Sequence, residues 1–114
     1  MISISTHILN TNLGKPATAM LVRLENLNDE NNWVEIGKKE SNENGRVEDF
    51  STENSQLKTG LYRLEFDTEK YFSSMGQDSF YPTISITFEI KNSEQHYHVP
   101  LLLNNYGYTT YRGS

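Results

Sequence analysis

Three histidines, His7, His96 and His98, are the side chains of this sequence that can move a proton near neutral pH. His96 and His98 lie two apart in the stretch HYHVPLLL, which reads as a strand. Side chains alternate across a strand, so His96, His98, Pro100 and Leu102 share one face. Tyr97, Val99, Leu101 and Leu103 share the other. His7 sits in a second alternating stretch, where Ile2, Ile4, Thr6 and Ile8 oppose Ser3, Ser5, His7 and Leu9. Arg46 directly follows Asn44-Gly45, a strong tight-turn signal, which puts its side chain at the rim of a sheet. The chain closes on Tyr111, Arg112, Gly113 and Ser114 after the short strand Tyr108–Tyr111. Terminal residues usually fray. Aromatics and a strand pattern running almost to the last residue indicate an end that is tied down.

Imidazoles on a strand face can serve as general bases, and an arginine can hold an anion or an oxyanion. Each such residue also has an ordinary reading. A lone strand histidine is usually structural or solvated, an arginine after a turn is usually a surface charge, and tyrosines usually pack. His-x-His is also how some zinc sites begin, but two ligands are too few and only the distant His7 could be a third. The sequence has no phosphate-binding glycine loop, no Gly-x-Ser-x-Gly elbow and no His-Glu-x-x-His helix. Taken alone, these residues describe a soluble β-sandwich with polar clusters.

The elements that must position them are mostly strands. Besides Ile2–Leu9, His96–Leu103 and Tyr108–Tyr111, the period-two pattern predicts strands over Ala19–Leu27, Trp33–Lys39, Arg46–Phe50, Gly60–Phe66 and Thr83–Lys91. Asn10–Pro16, Asn28–Asn32, Ser41–Gly45 and Asn92–Gln95 carry turn or loop chemistry, and Ser51–Thr59 reads as a polar loop. Between Phe66 and Tyr81 the period changes. Asp67 or Thr68 can cap a short helix running to Met75, with Tyr71, Phe72 and Met75 on one face and Gly76 at the stop. Roughly seven or eight strands, one short helix and regular turns indicate an all-β sandwich of two antiparallel sheets.

Composition narrows the function classes. A chain of 114 residues with net charge −5 makes one domain and has no basic field for nucleic acid. With no cysteine there is neither a disulfide framework nor a thiolate site. No stretch reaches the roughly 18 apolar residues that span a bilayer. The opening MISISTHIL lacks the basic and apolar regions of a signal peptide, so a cytoplasmic location is expected.

Four blocks, covering nearly the whole chain, resemble the 5-hydroxyisourate hydrolases of the transthyretin-like family. They are Ile4–Thr11 with Gly14-Lys15-Pro16-Ala17; Asn44-Gly45-Arg46; Phe80-Tyr81-Pro82 with Ile84, Ile86 and Phe88; and His96–Leu103 with Tyr108–Ser114. The ending Tyr-Arg-Gly-Ser is the specific part, since hormone-carrying transthyretins lack it and lack the second histidine of the HYH segment. Asn10 stands where the family usually has aspartate and Asn104-Asn105 where it usually has Ser-Pro, both read as loop positions.

The resemblance implies a transthyretin-like sandwich and hydrolytic ring opening of 5-hydroxyisourate, with no metal and no cofactor. It implies His7, Arg46 and His98 as catalytic residues and Tyr111, Arg112, Gly113 and Ser114 as substrate-binding residues. His98 is expected to orient the water and His7 to complete the proton relay. His96 matches no catalytic position of the family and is left out. A homotetramer with sites completed at subunit interfaces is implied as well. The alternative within the same fold is a small-ligand carrier without catalysis.

Overall fold

The computed structural model describes residues 2–50, 57–92 and 94–114. Among these residues nine strands and one helix follow in chain order: β1 (Ser3–Asn10), β2 (Lys15–Pro16), β3 (Leu21–Leu27), β4 (Trp33–Glu40), β5 (Arg46–Val47), β6 (Gly60–Phe66), α1 (Thr68–Ser73), β7 (Ile84–Ile90), β8 (His96–Leu103) and β9 (Tyr108–Thr110). One sheet runs β2-β1-β8-β9, with β5 also on β1; the other runs β4-β3-β6-β7. This is the expected all-β sandwich with one short helix. Two of the strands are two-residue pieces, and Lys15–Pro16 falls in a stretch read as turn. All pairings are antiparallel except β1 with β8, which run parallel in unbroken register from Ser3↔His96 to Asn10↔Leu103.

The core lies between the sheets. Ile4 and Ile8 of β1 and Val99, Leu101 and Leu103 of β8 face Val22, Leu24, Tyr62, Leu64, Phe66, Ile84 and Ile90, all buried. Each such side chain contributes about 1.5–3 kcal/mol by leaving water. This burial holds β1 and β8 with their apolar residues inward, and it turns the alternate residues Ser3, Ser5, His7, His96 and His98 outward on the first sheet.

Several boundaries differ from the sequence expectation. The third strand begins at Leu21, because Ala19 takes a positive φ of 58° and Ser41 ties the turn, its Oγ accepting from Met20 N and donating to Ala17 O. In β4 the register slips between Leu24↔Gly37 and Glu25↔Glu35, so Ile36 forms a bulge and the simple alternation breaks. The fifth strand stops at Val47, although Phe50 N still donates to Ile4 O at 3.0 Å. Asp67 caps the helix by accepting from Lys70 N, and the helix ends at Ser73 rather than Met75. Phe72 is buried, whereas Met75, beyond the last turn, is exposed. Asn10 is the buried last residue of β1, not a loop residue, and donates to Tyr71 Oη at 3.0 Å. Of the polar loop expected over 51–59, residues 51–56 lie outside the described residues, as does residue 93 of the turn before β8. No helix among the described residues is long and apolar enough to cross a membrane.

The outer face of the second sheet carries an ion-pair cluster. Arg63 Nε donates to Glu25 at 2.8 Å, its Nη2 reaches Glu65 at 3.1 Å, and its guanidinium lies 4.4 Å from the Trp33 ring centre. The outer face of the first sheet carries the histidines.

Candidate active site

The parallel register sets the site. Pairing Ser5 with His98 and His7 with Pro100 lays the outward residues of β1 beside those of β8. Ser5 Oγ stands 2.7 Å from His98 Nδ1 and 2.8 Å from His96 Nε2, and Ser3 Oγ bonds His96 Nδ1. The two imidazoles are nearly parallel, 17° apart in plane, with ring centres 6.3 Å apart. Among the described residues no protein group hydrogen-bonds His98 Nε2, so that nitrogen is the one open to a reacting molecule.

Arg46 is brought in by β5, whose register pairs His7 with Arg46. The turn before it is wound on Asn42, whose Oδ1 accepts from Asn44 N at 2.9 Å and from Arg46 N at 3.0 Å. Gly45 must be glycine on two counts. Its φ is +74°, and a β-carbon there would come within 2.4 Å of Ile8 O. Its own carbonyl accepts from Ile8 N at 2.7 Å, which clamps the turn against β1.

The last residues reach the same face from the other side. Gly113 N donates to His98 O at 2.8 Å and forms a bridge with that residue. Ser5, Thr6, Arg46, Glu48, His96, His98 and Ser114 together line an open cavity of about 230 Å³. Arg46, His98 and Ser114 are thus brought together. His7 shares their sheet face, between Arg46 and Pro100 in register, without forming the cavity wall.

Tyr111 and Arg112 do not line this cavity. They line a second, largely apolar crevice of about 170 Å³ with Ile86, Phe88, Tyr97 and His98, so that His98 borders both spaces. Arg112 lies over the Tyr97 ring, 4.7 Å from its centre, and donates to Gln95 Oε1 at 3.0 Å. Tyr111 is exposed.

Sequence reasoning passed over His96, Ser5 and Glu48. The signal for His96 was its shared face with His98. Ser5 could be read as a neighbour of His7, but its contact with His98 needs the pairing of strands far apart in sequence.

Burial holds the pKa of His98 below its ordinary 6.5, and the nearby charges of Arg46, His96 and His7 push the same way. A neutral imidazole with one free nitrogen is thereby favoured in a polar cavity beside a fixed cation. Such a site can take a proton from water while the guanidinium receives a developing negative charge. Among the described residues no group of three metal-ligating side chains forms.

The chain is similar to known proteins over almost its whole length. The model of the HIUase/Transthyretin family matches residues 4–113. A 5-hydroxyisourate hydrolase of Mus musculus is 44% identical over 112 residues, covering 97% of this chain and 94% of the mouse protein. The solved structure of Klebsiella pneumoniae 5-hydroxyisourate hydrolase superposes with a TM-score of 0.86 at 33% identity, covering all of both chains. That of sea bream transthyretin in complex with thyroxine gives 0.90 at 27% identity, covering 96% of this chain and 93% of the other.

Proposed function

The chain belongs to the HIUase/Transthyretin family, and from that membership we propose that it is a 5-hydroxyisourate hydrolase. The observation that carries this reading is the meeting of His98, Arg46 and Ser114 in one polar cavity on the outer face of the first sheet. A carrier of an apolar ligand would need an apolar channel there, and two imidazoles, an arginine and hydroxyls are the opposite of that lining.

In the reaction, water adds to a ring carbonyl of 5-hydroxyisourate, a product of urate oxidation. The adjacent amide bond then breaks, giving 2-oxo-4-hydroxy-4-carboxy-5-ureidoimidazoline. His98 Nε2 orients the water and takes its proton. Arg46 offers planar donors to the oxyanion or to the partly anionic ring. His7, beside Arg46, completes the proton path on the same face. Gly113 and Ser114 border the substrate.

The active form is a homotetramer with sites completed at subunit interfaces. β7 and β9 are each an edge strand of their own sheet, residues of both border the apolar crevice, and open edges invite pairing with a copy about a twofold axis. Tyr111 and Arg112, which line that crevice with His98, act across this interface.

The test is direct. Hydroxyisourate is generated from urate with urate oxidase, and its ultraviolet absorbance is followed with and without the protein. Accelerated decay is expected; decay at the spontaneous rate over a range of protein concentrations would refute the assignment.

A further inference from the structure

The outer face holds a hydrogen-bonded line, Ser3–His96–Ser5–His98, longer than the reaction outlined above uses. A hydroxyl has one hydrogen to donate. Ser5 Oγ lies within bonding distance of a ring nitrogen on each side, so it donates to one imidazole and must accept from an N–H of the other. The protonation of His96 Nε2 and that of His98 Nδ1 are therefore tied together. When His96 is neutral and bare at Nε2, Ser5 donates to it and accepts from His98 Nδ1–H, which leaves His98 Nε2 bare and able to act as a base. When His96 carries a hydrogen on Nε2, Ser5 turns round and donates to His98 Nδ1, and the hydrogen of neutral His98 must then sit on Nε2.

Resting on the hydrolase reading, we propose that Ser5 and His96 are positioning residues that set the tautomer of His98 and take over the positive charge formed in the reaction. His98 Nε2 accepts a proton from the attacking water as the new carbon–oxygen bond forms. His98 Nδ1 passes its proton to Ser5 Oγ, and Ser5 passes its own to His96 Nε2. The charge then resides on His96, which is exposed, while His98 stays neutral with a hydrogen on Nε2. That hydrogen goes to the leaving nitrogen as the amide bond breaks, and the two transfers run backward to restore the starting state. No proton is gained or lost by the line over the cycle.

The physical reason for such a device is on the same face. A cationic His98 would be part-buried and near Arg46, and both disfavour it. The other titratable or charged neighbours are His96 on β8 and Glu48 after β5, which line the same cavity, and His7 on β1, which shares the sheet face. Ser5, 6% exposed, sits between the two rings with its hydroxyl within bonding distance of both.

The experiment has two arms. In the kinetic arm, Ser5→Ala and His96→Phe each lower kcat by roughly 10-fold, below the 10²–10⁴-fold typical of losing the base itself. KM stays within about twofold. The double variant is no slower than the worse single one, because both break one line. Ser5→Thr, which keeps the hydroxyl, restores most of the rate. Single variants with wild-type kcat, or losses that multiply in the double variant, would overturn the proposal. In the second arm, nitrogen-15 spectra of labelled histidines are recorded without substrate. Wild-type His98 is expected as the Nδ1–H tautomer while His96 is neutral and as the Nε2–H tautomer once His96 is protonated; in Ser5→Ala the tautomer of His98 no longer follows His96. The same His98 tautomer with and without the Ser5 hydroxyl would refute the coupling. Should wild type fail to open hydroxyisourate, the functional reading falls, and the spectra still decide whether Ser5 couples the two rings.

Discussion

Gly113 lies flat against the imidazole of His98. Its N–H donates to the His98 carbonyl at 2.8 Å, and a β-carbon on it would come within 2.5 Å of His98 Cδ2 and 3.1 Å of Pro100 Cγ. The glycine is there because the tail must pass over the ring without displacing it. Gly113→Ala should therefore push either the tail or the imidazole aside and lower kcat by about 10- to 100-fold, the scale on which small misplacements act. Thermal unfolding should change by no more than a few degrees, since the contact is at the edge of the fold. Steady-state kinetics beside a melting curve check this; wild-type kcat would show that the ring tolerates the shift.

His98→Asn should lower turnover by about 100-fold or more with the fold retained, the usual loss for a positioned base. His7→Asn should also lower it, and by less, because His7 shares the face without walling the cavity. Circular dichroism and the absorbance assay on both variants test the order. Equal, wild-type rates would remove both residues from the reaction.

Arg46→Ala should cost roughly 10²–10³-fold in kcat/KM if the guanidinium meets developing charge. Arg46→Lys should recover little, because an ammonium lacks the planar fork. Full activity in the lysine variant would reduce the role of Arg46 to diffuse attraction.

The depressed pKa of His98 has a sign in both activity and stability. The folded protein keeps His98 neutral at pH values where the unfolded chain, at about 6.5, already binds a proton. The unfolded state then holds more protons, so this contribution to stability is complete above pH about 6.5 and is lost as pH falls through the lower folded value. Denaturant midpoints measured from neutral to mildly acid pH should fall in wild type and fall less in His98→Asn. Parallel curves for the two proteins would contradict the assignment.

Dilution should separate shared from private sites. If neighbours complete each cavity, specific activity should drop in step with mass as light scattering follows the protein to low concentration. A monomer with full specific activity would show that Tyr111 and Arg112 are not needed across an interface.

The sequence by itself determined which side chains face which way on β1 and β8. Period-two alternation is local, and burying Ile4, Ile8, Tyr97, Val99 and Leu101 leaves His7, His96 and His98 outward whatever the strands pair with. The glycine at 45 likewise marked the turn that delivers Arg46. Pairing across the chain was not legible in this way. Only the tertiary structure decided that β1 and β8 run parallel, which places Ser5 on His98 across 93 positions of sequence and draws in His96, whose motif alone gave it no task. It also decided that Tyr111 and Arg112 line the crevice, while Gly113 bonds the His98 backbone and Ser114 lines the cavity. Register and tail direction depend on which apolar surfaces meet across the whole sandwich. That is a sum over distant contacts, and no single stretch of residues carries it.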